Sequence, residues 1–296
     1  MSAPAGGGSP PFDPARDRRL AFLGPPGTFS EEAALKYDAG AALVPMASIT
    51  AVASAIESGM AEAGIVPVEN SLEGPVTETL DILVHSPNPL SMQNEAVLSI
   101  EHYLLVRPGT KAESVTVLFA HPQALAQCRG FVERCFPKAT VEAALSNSAA
   151  VEEMMERENA AAIGTRRAAE IYGAEVLARG IQDRSPNLTR FVVLGKEDHG
   201  PTGDDKTSIA CAFVVEDRPG LLVGALKEFS ERSINLSKIE SRPSRAAPWD
   251  YVFYLDFEGD PAAWPAREAL ALMRTCCEWI QQLGTYPAAT EVFEPD

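Results

Sequence analysis

From Arg19 to Tyr172 short apolar runs alternate with capped, helix-prone segments, and this alternation constrains the fold more than any other feature of the chain. Arg19 to Gly24 reads as a strand, 30–37 and 48–58 as helices, 63–68 as a strand and 76–84 as a helix. After a turn at Pro87 to Pro89, 97–106 reads as a strand. Strand 115–119, helix 122–135, strand 140–144, helix 149–157, strand 160–164 and helix 166–172 follow. Strands that alternate with helices require parallel sheets covered on both faces. Two such blocks, about 19–90 and 95–180, predict two α/β lobes. The apolar run Phe191 to Leu194 reads as one more buried strand. If it returns to the first lobe, the chain crosses between lobes twice, which makes a cleft with a hinge.

A second pattern begins beyond a polar, Gly-bearing linker at 195–206. It reads as strand 208–215, helix 221–231, strands 234–240 and 250–257, helix 265–283 and strand 290–293. The order βαββαβ predicts a ferredoxin-like sandwich. Residues 1–18 lack the apolar core of a signal peptide and read as a disordered tail.

A chain of 296 residues is long enough for two domains, each with its own core. No segment approaches ~20 uninterrupted apolar residues, so no membrane span is expected. The net charge of −16 argues against nucleic acid as a partner. It also means that an anionic ligand must be held by a few local donors against an unfavourable mean field. The five cysteines have no metal-ligand spacing, which makes reduced and cytoplasmic the expectation.

Polar residues sit at the mouths of the apolar runs in three segments: Gly24-Pro-Pro-Gly-Thr-Phe-Ser30, Val66-Pro-Val-Glu-Asn-Ser-Leu-Glu-Gly74, and Asn187-Leu-Thr-Arg-Phe191. Thr28 with Glu31 fits a capping box, and the free N–H groups of such a helix start suit a carboxylate. His121-Pro-Gln-Ala-Leu-Ala-Gln-Cys128 places Gln123 and Gln127 one helical turn apart. A phosphate-binding loop, a nucleophile elbow, a metal cluster and Gly-x-Gly-x-x-Gly are all absent from the sequence.

In this order, the three segments resemble the prephenate dehydratase family, and the likeness extends over about residues 19–296. Asp217-Arg-Pro-Gly220 followed by Leu221-Leu-Val223, and Ile234-Asn-Leu-Ser-Lys-Ile-Glu-Ser-Arg-Pro243, resemble an ACT domain that binds phenylalanine. Leu221 stands where the family usually has Ala, Asn147 where it has Thr, and Thr165 where Ser is common.

The resemblance implies a two-lobed catalytic domain of the type II periplasmic-binding-protein kind at 19–197. Lobe 1 would be about 19–92 plus 182–197 and lobe 2 about 93–181. A linker at 198–206 and an ACT regulatory domain at 207–296 would follow. Some relatives carry an N-terminal chorismate mutase, which residues 1–18 do not encode.

The implied reaction turns prephenate into phenylpyruvate, water and CO2. Aromatisation drives it, so no cofactor or metal is expected. Thr189 would donate a hydrogen bond to the departing hydroxyl, with Arg190, Glu69 and Gln127 as further catalytic candidates. Gly27, Thr28, Phe29, Ser30, Asn70, Ser71, Ser146, Asn147, Ser148, Thr165, Asn187 and Phe191 are the substrate-binding candidates. Arg190 either clamps a carboxylate bidentately or pairs with a nearby acid, because neighbours on a strand point to opposite faces. His121 reads as the one imidazole with a catalytic option, though a capping role fits its strand–helix junction better.

L-phenylalanine is the expected effector, near Gly220, Leu221, Leu222 and Val223 of one chain and Asn235, Leu236, Ile239, Glu240, Ser241, Arg242 and Pro243 of another. The ACT domains would then pair into a homodimer, or assemble further into a tetramer. Deleting 206–296 is expected to leave some activity in 19–197. Arogenate dehydratase remains an alternative, as does a non-catalytic two-lobed binding module with an amino-acid sensor.

Overall fold

A computed structural model describes residues 18–213, 219–244 and 250–295. Residues 1–17 of the expected tail at 1–18, the end of the expected strand at 214–215, and Asp217 and Arg218 lie outside the described residues.

The chain opens with β1 (Arg19–Leu23), α1 (Phe29–Tyr37), β2 (Ala42–Met46), α2 (Ile49–Glu57), β3 (Ala63–Asn70), β4 (Gly74–Pro75), α3 (Thr77–His85) and β5 (Ser91–Ser99). It continues through β6 (Tyr103–Val106), β7 (Val117–Ala120), α4 (Pro122–Gln127), α5 (Arg129–Cys135), β8 (Thr140–Ala143), α6 (Asn147–Met155), β9 (Ala160–Gly164), α7 (Arg166–Tyr172) and β10 (Glu175–Arg179). Then come β11 (Leu188–Gly195), β12 (Asp205–Phe213), α8 (Leu221–Ser230), β13 (Leu236–Pro243), β14 (Tyr251–Glu258), α9 (Ala266–Met273), β15 (Cys277–Pro287) and β16 (Val292–Phe293).

Among the described residues the strands form three sheets. The first runs β16-β5-β11-β3-β1-β2, with β4 on β3, and belongs to lobe 1. The second, β10-β6-β9-β7-β8, belongs to lobe 2. The third is β13-β14-β12-β15. The expected strand 97–106 is in fact two strands. β5 completes the first sheet and β6 the second, so the chain leaves lobe 1 at 100–102 rather than at about 92. β11 brings it back, antiparallel between β3 and β5.

Alternate residues of the β1, β3 and β11 strands bury on opposite faces, as a two-residue period dictates. Leu20, Phe22, Ile65, Phe191 and Val193 pack with Ala33 and Ala34 of α1. Ala21, Val66, Val192 and Leu194 pack with α2 and α3 on the other face. That second core does not end at lobe 1. Ala210, Val252, Tyr254, Leu283 and Tyr286 of the third sheet belong to it, so the sheet lies directly on lobe 1. Its opposite face, with Ile209, Cys211, Leu255 and Phe257, is covered by α8 and α9.

The βαββαβ order holds, but its last members differ from expectation. Residues 265–283 are not one helix: α9 stops at Met273, and β15 begins at Cys277 and pairs with β12. Without β15 the inner strand β12 would be an edge with open N–H and C=O groups, a stronger demand than local helix propensity. The expected last strand is β16, and it pairs with β5 in lobe 1 rather than in the third sheet.

Candidate active site

The site is built around Asn70 at the end of β3 and Thr189 at the start of β11, which are direct partners in the ladder. The backbone N–H groups of Leu72 and Glu73 donate to Asn70 Oδ1 at 2.9 and 3.0 Å. Those donors fix the sense of the amide. Asn70 Nδ2 therefore donates to Thr189 Oγ1 at 2.9 Å and to Asn187 Oδ1 at 2.8 Å. Asn187 Nδ2 in turn donates to Gln127 Oε1 at 2.8 Å, which ties lobe 1 to α4 of lobe 2. Gln127 Nε2 donates to Glu73 Oε1 at 3.1 Å. Thr189 Oγ1 thus receives a hydrogen bond, and its own proton remains available to a ligand.

Thr189 and Gln127 face a cleft of about 870 Å³ between the lobes. Of the expected binding residues, Thr28, Phe29, Ser30, Asn70, Ser146, Asn147 and Phe191 line it. Its lining also includes Gln123, the helical-turn neighbour of Gln127, and Pro45, Met46, Ile100, His102 and Leu145, which the sequence did not single out for binding. His102 corrects the expectation that His121 was the one imidazole to consider. It was hidden by reading 97–106 as one strand. His121 caps α4, its Nδ1 accepting from Gln123 N at 3.4 Å. Burial pushes the pKa of both imidazoles down.

Among the described residues no Lys or Arg lines the cleft. The donors available for an anion are helix starts. Thr28 caps α1 by accepting from Glu31 N, and Ser146 caps α6 by accepting from Ala149 N. The remaining first-turn N–H groups and the positive dipole ends are presented at the cleft wall.

Four expected binding residues do structural work beside the cleft. Gly27 is buried at φ +86°, and its N–H donates to Glu31 Oε2 at 2.6 Å. Thr165 Oγ1 donates to Gly27 O at 2.7 Å, and Ser148 Oγ donates to Pro26 O, so both tie lobe 2 to the loop before α1. Ser71 Oγ accepts from Leu188 N at 2.9 Å. None of the four lines the cleft. Asn187 does not line it either, but links two residues that do.

Arg190 and Glu69, expected as catalytic, lie on the far side of the sheet. Neighbours on a strand face opposite ways, so Thr189 and Asn70 toward the cleft put Arg190 and Glu69 toward the third sheet. Arg190 donates to Glu69 at 2.8 Å, to Glu95 at 2.6 Å, to Asp256 at 2.6 Å and to the Tyr286 hydroxyl at 2.8 Å. Lys238 of β13 pairs with Glu69, and Lys206 of β12 with Glu95 at 2.7 Å. Burial pushes the Glu69 and Glu95 carboxyls up. Lys238 and Arg190 at the first, and Arg190 and Lys206 at the second, outweigh it and hold both below the usual carboxylate value.

In the third sheet, Gly220 starts α8 at φ +97° with nothing within 4 Å of an added Cβ. Val223, Asn235 and Leu236 line a hollow of about 550 Å³ between α8 and β13. Leu221 and Leu222 are half-buried in the first turn of α8, outside the hollow's lining. Ile239, Ser241 and Pro243 are exposed along β13, and Glu240 is half-buried. Arg242 turns away to pair with Asp81 of lobe 1 at 3.3 Å.

The family model for prephenate dehydratase matches residues 20–199, and that for the ACT domain matches 210–263. A bifunctional chorismate mutase/prephenate dehydratase of Aquifex aeolicus (strain VF5) is 40% identical over 272 residues, covering 92% of this chain and 74% of that protein. A prephenate dehydratase of Mycobacterium sp. (strain JLS) is 38% identical over 291 residues, covering 94% of this chain and 91% of its own. Among solved structures, prephenate dehydratase from Arthrobacter aurescens in complex with L-Phe superposes with a TM-score of 0.83 at 33% identity, covering 92% of this chain and 90% of that one.

Proposed function

This chain belongs to the prephenate dehydratase family, and we propose on that premise that it converts prephenate to phenylpyruvate, water and CO2, with L-phenylalanine as its effector. The observation that carries this reading is the Asn70–Thr189 hydrogen bond, which leaves the Thr189 hydroxyl as a donor at the cleft wall. A threonine hydroxyl is far too weak an acid to protonate a resting alcohol. It becomes effective as the ring C–O bond breaks, when charge develops on the leaving oxygen. The carboxylate C–C bond supplies the electron pair that aromatises the ring, CO2 departs, and the hydroxyl leaves as water. Its proton is drawn through Thr189 and replaced from solvent.

The lining supports binding of a dianion without a cationic side chain. The first turns of α1 and α6 stand on opposite lobes, one for each carboxylate. Phe29, Phe191 and Ile100 supply the apolar wall against the ring. Gln127 and Asn70 orient the substrate and the Thr189 hydroxyl.

For the regulatory part, we place the effector against Val223, Asn235 and Leu236. Pairing through the third sheet is supported by β13, an edge strand that exposes Ile239. A homodimer in the cytoplasm is the form proposed, and light scattering at working concentration checks the assembly. The decisive experiment for the activity is turnover of prephenate and arogenate, side by side, by the purified protein. Formation of phenylpyruvate from prephenate is expected, and its absence would sink the reading.

A further inference from the structure

His102 sits in the hinge between β5 and β6, on the segment that carries the chain from lobe 1 to lobe 2. The ring is buried and lines the cleft, with the edge of one ring against the face of the other where it meets Phe29 at 5.4 Å between centroids. Its Nε2 lies 2.9 Å from Gln127 Oε1. Among the described residues its Nδ1 has no hydrogen-bond partner.

The network fixes which nitrogen carries the proton. Two backbone N–H groups fix Asn70 Oδ1, Asn70 Nδ2 fixes Asn187 Oδ1, and Asn187 Nδ2 fixes Gln127 Oε1. Glu73, a carboxylate that only accepts, fixes the other end of the Gln127 amide from the opposite direction. Gln127 Oε1 has no proton to give, so His102 Nε2 must donate. Donation then runs from the 72–73 N–H groups to Asn70, from Asn70 to Thr189 and Asn187, from Asn187 and His102 to Gln127 Oε1, and from Gln127 Nε2 to the Glu73 carboxylate.

From this geometry we infer that His102 is a positioning residue for the dehydration: as the neutral Nε2–H tautomer it saturates the Gln127 carbonyl and holds the amide with its N–H side toward Glu73 and the cleft. An sp² oxygen has two lone pairs, and here Asn187 takes one and His102 the other. Without His102 a half-buried carbonyl acceptor loses a partner, and the Gln127 side chain gains rotational freedom at the lobe junction. The hinge and the α4 side chain that joins Asn187 are thereby held in one arrangement. Burial depresses the imidazole's basicity, in keeping with a neutral ring.

The inference rests on Gln127 belonging to the active site, and the test separates the two. Turnover of prephenate is measured for Gln127→Ala, His102→Leu, His102→Gln and the His102→Leu/Gln127→Ala double variant. We expect Gln127→Ala to lower kcat. His102→Leu should lower kcat by ~10–100-fold with a smaller change in KM, the scale of losing an outer-shell orienting partner. His102→Gln, whose Nε2–H takes the place of the imidazole donor, should recover most of that loss. The double variant should be no slower than Gln127→Ala, because His102 acts through Gln127. An active Gln127→Ala would defeat the reading of the site itself. A crippled Gln127→Ala beside a His102→Leu within twofold of the parent would overturn this inference alone, as would a His102→Gln no better than His102→Leu. Should His102→Leu not fold, ¹⁵N spectra of the unaltered protein decide it: the Nε2–H tautomer is expected, and an Nδ1–H tautomer overturns the proposal.

Discussion

Arg190 Nη1 and Asp256 Oδ2 are 2.6 Å apart, although one residue belongs to β11 of lobe 1 and the other to β14 of the third sheet. Arg190 follows Thr189 directly, so one strand carries a cleft-lining hydroxyl and a contact to the third sheet on its two faces. Replacing Arg190 by Met would leave Glu69, Glu95 and Asp256 close together with their shared cation gone. Breaking a buried pair in this way costs ~3–5 kcal/mol, and urea unfolding should show a loss of that size. Arg190→Lys should recover part of it, since one ammonium cannot reproduce the fork. A loss below ~1 kcal/mol, the scale of a surface ion pair, would mean that the network is not the tie it looks to be.

Thr189→Ala should lower kcat by ~10²–10³, the usual loss for one transition-state donor, with little change in KM. Thr189→Ser keeps the hydroxyl and should retain much of the rate. Steady-state kinetics with prephenate checks both, and unchanged turnover in the Ala variant removes Thr189 from the mechanism.

The acid side of the stability curve should reflect Glu69 and Glu95. Both carboxyls have folded pKa values held below the ordinary glutamate value of about 4.5. Their stabilisation is therefore fully present above about 4.5 and is lost as pH falls through the lowered folded values. Lys206→Met removes one of the two cations at Glu95, lets burial push that carboxyl up, and should move acid unfolding to higher pH. Far-ultraviolet circular dichroism against pH is the measurement, and an unmoved midpoint contradicts the assignment.

Gly27→Ala puts a Cβ 2.7 Å from Ser148 Oγ and 3.2 Å from Ala168 Cα, at a φ of +86° that disfavours side chains. The seam between the α1 loop and lobe 2 must open to admit it. Thermal stability and kcat should fall together, and a variant that matches the parent in both would show that the seam has slack.

Asn235→Ala should weaken inhibition by phenylalanine by about 10-fold or more, the worth of a hydrogen bond to a charged group, while kcat stays near the parent value. Inhibition curves at fixed prephenate test this, and unchanged potency moves the effector elsewhere. Deleting 206–296 is a poorer test than the sequence suggested. It would uncover Val66, Leu80, Leu83, Met92 and Leu194, which share a core with Tyr254, Leu283 and Tyr286, and would remove β16 from β5. The truncated chain is expected to aggregate rather than to work without control.

The alternation of buried strands and helices in 19–172, the doubled lobe and the βαββαβ order were legible in the sequence, because strands covered on both faces read as near-continuous apolar runs. So were Thr28, Asn70, Ser146 and Thr189, polar residues at strand mouths and helix starts, and Gln127, one helical turn along from Gln123 on α4. What lies between distant segments was not legible. The 277–287 stretch became a strand because β12 needed a partner, and no local preference announces that need. His102 joined the site because the chain breaks between β5 and β6. Arg190 and Glu69 are charged residues beside catalytic candidates, and on the sequence alone either strand face was open to them. The third sheet decided the matter by placing Asp256, Tyr286, Lys238 and Lys206 on one side. A side chain's neighbour in sequence fixes only which way it points. What it meets there is set by packing against elements far along the chain.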